Sequence, residues 1–578
     1  MSRIKALKFV VLAALTIIVV RLFFIQIIEH GKWMEQAEKQ HTMLETIVAD
    51  RGEIYMMDGN NPVPVVLNQT VYSIIIDPAV TNKEKLKELL EKYAKDNITA
   101  DIDEVYNIEG LRYFIIARNI TRDVADQIAK EGVGGVWFQE NNRRVYPEGE
   151  MASELLGFVN ADGVGQYGIE GSMNSVLKGK DGLLKSISDI NNVALSIGND
   201  NVKIPAEDGE TVVLTIDRGL QKGVEEILAR KIEETPATNI AAIVMDPVTG
   251  KVLAMANLPN YDPANYGKVK DASAYINYVT EVPYEPASVC KTFSFSAAIN
   301  EGKMTADTQY FNEGFTVVDG WTIKNAEQRS SLYGTIDMRT ALYWSLNTGS
   351  IKALKLLGDN PDEITQVGRE RLYDYLHNKF NLGQATGIEV YEAEGTIPDP
   401  NDGWGRDSVY ANMTFGQNMY VTMIQAASAF SAVVNGGYYN KPTMLAGTLK
   451  DGELVAAEQD GNTRQILAES TSSMMRDMLA NNRNYKVRMG IDRSGYTIGG
   501  KSGTAQVVRD GSYDNTMSET IASYIGFGGT AGELPKYVIM VKMWGEGQYM
   551  DGTDHGSTTF DALSNYVIDY LKIKPGNI

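Results

Sequence analysis

Twenty consecutive positions, Phe9 to Ile28, carry a single charge, Arg21. About 20 apolar residues make a helix that crosses a hydrocarbon core of roughly 30 Å. Arg3, Lys5 and Lys8 precede the run; Glu29 and His30 follow it. Basic flanks stay in the cytoplasm. The pattern therefore predicts one membrane-spanning helix with a cytoplasmic N-terminus, and an extracytoplasmic chain after about residue 30. A cleaved leader has a shorter apolar core, about 7–15 residues, and a small-x-small site that is not found here. Arg21 lies past the middle of the span, where it can snorkel outward.

Beyond the span the pattern changes twice. Between residues 31 and 205, strand-like runs (VYSIIID at Val71–Asp77, RYFIIAR at Arg112–Arg118) alternate with charged helical stretches such as Lys83–Lys95. No catalytic cluster is visible there, so a pedestal or interaction domain is expected. From about Asp208, ETVVLTID (Glu210–Asp217) reads as a strand, and GLQKGVEEILARKIEE after it as an amphipathic helix. AAIVMD (Ala241–Asp246) and KVLAMAN (Lys251–Asn257) flank PVTG and read as a hairpin. ASYIGFGG, YVIMVKMW and a last helix from about Thr559 to Lys572 close the chain. Strands at both ends with helices between them predict one α/β domain whose sheet gathers from distant segments. The expected division is residues 1–29 for the cytoplasmic tail and anchor, 30–205 for the pedestal, and 206–578 for the catalytic domain.

Composition narrows the chemistry. At 578 residues the chain exceeds one ordinary domain. Lys+Arg 54 against Asp+Glu 74 leaves a net charge of −20, which argues against a nucleic-acid binder. One cysteine excludes an intrachain disulfide, a Cys-rich zinc site and an iron–sulfur cluster. The four histidines (His30, His41, His377, His555) are scattered and read as surface residues rather than as bases. GVGQYG, Gly163–Gly168, fits G-x-G-x-x-G, but no βαβ unit surrounds it, so it reads as a loop.

S-x-x-K occurs three times, at Ser2–Lys5, Ser175–Lys178 and Ser288–Lys291. The first is cytoplasmic by the topology above, and the second runs into Gly179 and Gly182, poor ground for a helix. The third has Pro286 where a helix can begin and an apolar run after it. Residues i and i+3 share a helix face, so Lys291 lies one turn from the Ser288 hydroxyl. A serine hydroxyl is inert until a base takes its proton. With no histidine candidate, the base is Lys291, which must be neutral to act. Holding a lysine of ordinary pKa about 10.4 half-neutral near pH 7.4 costs about 4 kcal/mol. Burial and a second cation supply such a shift. Lys501, in the strand-like GYTIGGKSGTAQVV (Gly495–Val508), is the candidate cation. Ser502 and Thr504 beside it offer hydroxyls to a carboxylate, and Gly503 lets a substrate backbone lie close. Between the two motifs lies Ser345-Leu346-Asn347; a second S-x-N, Ser172–Asn174, falls in the wrong order. The order S-x-x-K, S-x-N, K-[ST]-G within one domain is the set found in penicillin-binding proteins and class A β-lactamases.

Nearly the whole chain resembles the class B penicillin-binding proteins, the monofunctional peptidoglycan D,D-transpeptidases. The resemblance rests on the single anchor, RGEIY (Arg51–Tyr55), GQYGIEGSMNSVLKGKDG (Gly165–Gly182), DPVTGKVLAMAN (Asp246–Asn257), YEPASVCK (Tyr284–Lys291) and KSGTAQ (Lys501–Gln506). No glycosyltransferase segment precedes the pedestal, unlike the bifunctional class. Ser-Leu-Asn and KSGTAQ lean toward the septal branch. Ala287 stands where the family usually has glycine, and Cys290, between nucleophile and base, reads as a small packed apolar residue.

The resemblance implies an α/β (α+β) transpeptidase fold, with an antiparallel sheet flanked by helices, on an elongated pedestal. It implies that Ser288 attacks the D-Ala–D-Ala bond of a stem peptide, with Lys291 as base. Ser345 and Lys501 pass a proton to the departing D-Ala, and Asn347 holds Lys291 and the substrate amide. The backbone N–H groups of Ser288 and Thr504 form an oxyanion hole. Ser502 and Thr504 bind the terminal carboxylate, with Gly503 between them. β-Lactams acylate Ser288. No metal or cofactor is needed, and the family's usual partner is a multi-span membrane glycan polymerase of the division machinery. The competing readings are a carboxypeptidase, a β-lactam hydrolase or sensor, and a non-catalytic division scaffold. The large pedestal and retained anchor argue against a secreted hydrolase, and the intact motifs argue against the scaffold.

Overall fold

The computed structural model describes residues 2–33, 42–187, 202–458, 463–486, 493–509, 512–513 and 516–577. Helix α1, Ser2–Phe23, continues through the turn Phe24–Ile28, and together they are long and apolar enough to cross a membrane. Its large apolar side chains, Leu12 and Phe23 among them, are exposed. Such a face is stable where lipid covers it.

The chain splits into two compact units, and one cut in the sequence does not separate them. The smaller comprises Met1–Gly52, Thr70–Asn142 and Lys178–Glu210; the larger comprises Glu53–Gln69, Arg143–Leu177 and Thr211–Ile578. Strand pairing is the reason. Ile54–Asp58 runs parallel to Thr211–Asp217, with Val212 opposite Ile54, so residues 53–69 belong to the larger unit's sheet. The buried Arg144 holds Glu170 at 2.7 Å and Asn68 at 2.6 Å, which ties residues 143–177 to the same unit.

In the smaller unit, Phe114–Ile120 pairs antiparallel with the end of Asn61–Ile76. Helices Lys83–Tyr93 and Arg122–Lys130 put Leu86, Leu90 and Ile128 on Ile74, Ile76 and Ile116. Asn82 starts the first helix by accepting the Lys85 N–H at 3.0 Å.

The centre of the larger unit is a five-stranded antiparallel sheet. Its strands are β1 Asn239–Met245, β2 Val252–Leu258, β3 Tyr496–Gln506, β4 Thr520–Thr530 and β5 Tyr537–Trp544, in the order β2-β1-β5-β4-β3. The expected β1–β2 hairpin is present. The Asp246 carboxylate accepts the Val248 N–H at 2.8 Å and the Thr249 hydroxyl at 2.7 Å, and Gly250 takes φ +77°. Helices α2 Arg218–Glu234 and α7 Ser557–Tyr570 cover one face, with Leu220, Val224, Phe560 and Leu563 on Val244, Ile539 and Val541. The other face carries α3 Lys291–Asn300, α4 Asn347–Leu357, α5 Met423–Val434 and α6 Glu469–Lys486. Every residue of α5 is buried, as its unbroken run of apolar and small residues requires. A capping box of Thr422 and Gln425 starts it.

Two buried carboxyls tie residues 143–177 to this core. Glu154 accepts the Asn257 N–H at 2.9 Å, and Glu225 accepts the Ala152 N–H at 2.7 Å. Burial pushes their pKa values up, to about 8 and about 7. The folded state therefore binds protons that the unfolded chain releases above about pH 4.5. Their contribution is complete below that pH and is lost as pH rises through 7 to 8. Thermal melts are expected to fall over that window, and Glu154→Gln is expected to flatten the fall.

Candidate active site

The S-x-x-K motif does not sit on a helix that starts at Pro286. Ala287–Cys290 form a 3₁₀ turn, and α3 proper begins at Lys291. The tighter turn eclipses side chains three apart, which still brings the pair together. Lys291 Nζ lies 3.0 Å from Ser288 Oγ. The same nitrogen lies 2.8 Å from Asn347 Oδ1, 3.2 Å from Ser345 Oγ and 2.6 Å from the Ser345 carbonyl. Lys291 is 1% exposed and Ser288 half-buried, so the hydroxyl has access to solvent and its neighbour does not.

Local structure places each partner. Ser345 adopts φ +56°, a left-handed kink just before α4, and Asn347 is the first residue of that helix. The Asn347 Nδ2 donates to the Lys324 carbonyl at 2.9 Å, which leaves its Oδ1 turned to Lys291. Three predicted residues, Ser288, Ser345 and Asn347, thus meet at the side-chain nitrogen of a fourth, Lys291.

The other four lie on β3. Lys501 is fully buried, and its Nζ donates to the Ser502 carbonyl at 2.9 Å. A Cβ on Gly503 would lie 2.8 Å from the Pro286 carbonyl and 2.5 Å from Ser523 Oγ. The glycine lets the strand lie against the nucleophile turn. Ser502 and Thr504 alternate with it and are half-buried. Both meet the loop 551–555. Thr504 Oγ1 accepts the Gly552 N–H at 3.1 Å and lies 3.3 Å from Asp551 Oδ2; Ser502 Oγ is 3.5 Å from the Thr553 hydroxyl.

That loop is a neighbour that sequence reasoning missed. Its signal in the sequence is the polar run DGTDHGS, Asp551–Ser557, around His555. His555 Nδ1 accepts the Asp551 N–H at 3.0 Å, so it shapes the loop. His41 lies outside the described residues. A second missed segment is 414–421. Gly416 accepts the Ala287 N–H at 3.1 Å, and a Cβ on Gly416 would lie 2.2 Å from the Ala287 carbonyl. The Asn418 N–H and the Tyr513 hydroxyl both donate to Glu285 at 2.8 Å. Cys290 is buried 3.5 Å from Met419 Sδ, and burial pushes its thiol up to about 12, so it packs and does not react.

Ala287 carries strain. It holds φ +49°, which costs a residue with a Cβ on the order of 1–3 kcal/mol. Ala287→Gly is expected to raise stability by about 1 kcal/mol, less the added entropy of the unfolded chain, as read by thermal denaturation.

The penicillin binding protein transpeptidase domain family matches residues 240–564, and the penicillin-binding protein dimerisation domain family matches residues 46–214. The chain belongs to the class B penicillin-binding proteins. Stage V sporulation protein D of Bacillus subtilis is 28% identical over 538 residues, covering 90% of this chain and 79% of that protein. The peptidoglycan D,D-transpeptidase FtsI of Buchnera aphidicola is 26% identical over 596 residues, covering 100% and 96%. A crystal structure of a peptidoglycan synthetase from Bifidobacterium adolescentis superposes with a TM-score of 0.71 at 23% identity, covering 93% of this chain and 98% of that one. Penicillin binding protein 2X from Streptococcus thermophilus gives a TM-score of 0.69 at 23% identity, covering 92% and 80%. These structures share the penicillin-binding protein fold, with its antiparallel sheet between helical layers.

Proposed function

We propose that this penicillin-binding protein is a serine-type peptidoglycan D,D-transpeptidase of septal wall synthesis. The observation that carries the reading is the convergence of Ser288 Oγ, Ser345 Oγ and Asn347 Oδ1 on one buried lysine nitrogen. Ser288 Oγ forms a bond to the carbonyl carbon of the D-Ala–D-Ala peptide, and its proton goes to the neutral Lys291 amine. The backbone N–H groups of Ser288 and Thr504 hold the oxyanion. The C–N bond then breaks as the proton taken up by Lys291 is relayed through Ser345 and Lys501 to the departing D-Ala nitrogen, which returns Lys291 to its neutral form. Asn347 orients Lys291 and the substrate amide, while Ser502 and Thr504 take the terminal carboxylate. An amine of a neighbouring stem attacks the ester carbonyl and gives its proton to Lys291, and the C–Oγ bond breaks as Lys291 returns that proton to Ser288. A β-lactam opens on the same serine.

The membrane helix supports an anchored enzyme, and the basic residues before it support an extracytoplasmic site. Residues 30–205, apart from 53–69 and 143–177, which pack with the larger unit, act as pedestal and 206–578 carry the catalysis, with a multi-span membrane glycan polymerase as partner. The relative named FtsI supports the transpeptidase reading, and the Ser-Leu-Asn and KSGTAQ forms support septal work. The test supplies the full chain in detergent with nascent glycan strands bearing D-Ala-terminated stems. Mass spectrometry of digested product is expected to find dimeric muropeptides and free D-Ala. Release of D-Ala without dimers would make the enzyme a carboxypeptidase.

A further inference from the structure

Strand β5 carries a buried cation that the mechanism above does not use. Lys542 is 1% exposed. It lies on one rung of the sheet with Gly503, Ser523 and Ala241, which pair across β3, β4, β5 and β1. Residues opposite one another in an antiparallel sheet share a face. At Gly503 that face meets the Pro286 carbonyl of the nucleophile turn. The Lys542 ammonium sits 4.6 Å from the Tyr284 ring centre and 5.0 Å from that of Trp544. Tyr278 packs edge-on against Trp544 at 4.8 Å.

Among the described residues no carboxylate pairs with Lys542. Glu281 accepts the Asn277 N–H, and Glu285 accepts the Asn418 N–H and the Tyr513 hydroxyl. Helix α5 and strand β1 bring no ionisable side chain, β3 brings Lys501 to the same face, and Tyr524 of β4 packs on the opposite face. Burial alone pushes the Lys542 pKa down, to about 7. A buried ammonium without a counter-ion destabilises the fold. What it contacts is the ring at the head of the leader Tyr284–Ala287. The main chain of Tyr284 is bridged to Val421, and three residues later Ala287 holds its left-handed strain next to Ser288.

We propose that Lys542 is a positioning residue for the nucleophile, whose ammonium holds the face of Tyr284 and thereby the leader that aims Ser288. The proposal rests on the acyl-enzyme reading and deepens it. It predicts an unusual pairing of effects, because the residue costs stability and aids acylation.

The test measures the rate of acylation by a fluorescent penicillin, and the melting temperature, for the full chain in detergent between about pH 5.5 and 9. Lys542→Met is expected to melt higher than wild type at pH 6, with the advantage shrinking as pH rises above about 7. The same variant is expected to acylate about tenfold more slowly below pH 7, with the ratio closing toward one above it. Tyr284→Phe keeps the ring face and is expected to acylate at the wild-type rate. Tyr284→Leu is expected to be as slow as Lys542→Met, and the double variant no slower. If Lys542→Met does not fold, the contrast between Tyr284→Phe and Tyr284→Leu decides. A Lys542→Met variant with the wild-type rate and pH profile overturns this proposal alone. A wild-type chain that takes no label overturns the acyl-enzyme reading, and this proposal with it.

Discussion

Replacing Lys291 with methionine is expected to slow acylation of the chain by a fluorescent penicillin about 10³-fold, within the 10²–10⁴ that a positioned general base contributes. The nitrogen lies 3.0 Å from Ser288 Oγ, within reach for the proton to pass along that line when the amine is neutral. Methionine fills the same buried space with an apolar chain, so the turn and α3 are expected to persist. The loss then falls on chemistry rather than on folding, although the Asn347 Oδ1 and the Ser345 carbonyl each lose a donor. Lys291→Arg is not expected to rescue the rate. A guanidinium stays protonated at any working pH and cannot accept the serine proton. Stopped-flow acylation beside a thermal melt separates the two effects. A Lys291→Met variant that melts near wild type and acylates within threefold of it would remove Lys291 from the base role.

The largest expected effect on stability lies away from the site. Arg483 of α6 and Asp561 of α7 form an ion pair whose side chains are 1% and 2% exposed. Arg483 also donates to the Tyr524 hydroxyl at 3.3 Å and stacks over Phe560 at 5.1 Å. Asp561→Ala removes this carboxylate from beside the buried guanidinium, and breaking such a pair costs about 3–5 kcal/mol. The paired replacement Arg483→Met with Asp561→Leu is expected to recover most of that loss, because it removes both charges and keeps the volume. Urea denaturation of the single and double variants checks this. An Asp561→Ala variant within about 1 kcal/mol of wild type would show that the pair does not hold α6 and α7 together.

Local signals made much of this molecule legible. The β1–β2 hairpin could be read from PVTG between apolar runs, because the Asp246 side chain closes its own turn. Ser288 and Lys291 could be paired because three residues of separation fix their geometry in either kind of helical turn. What could not be read depends on distant contacts. The Glu53 N–H donates to Thr211, 158 residues away, and no periodicity marks such a pairing. That pairing moves residues 53–69 out of the smaller unit. The loop 551–555 reaches Thr504 across about fifty positions, and its composition alone says only that it turns. Gly503 was legible as a place of close approach, but the approach of the Pro286 carbonyl to it depends on the folded nucleophile turn. Ala287 is the converse case. Its departure from the family glycine was visible in the sequence, and its φ of +49° gives that departure a cost.

A nucleophile at Ser288 must itself carry the acyl group. Intact-mass analysis of the full chain after exposure to a penicillin, wild type and Ser288→Ala together, reads this. One penicilloyl adduct is expected on wild type, carried by the peptide that contains Ser288, and none on the variant. Equal adducts on both proteins would place the nucleophile elsewhere and contradict its assignment to Ser288.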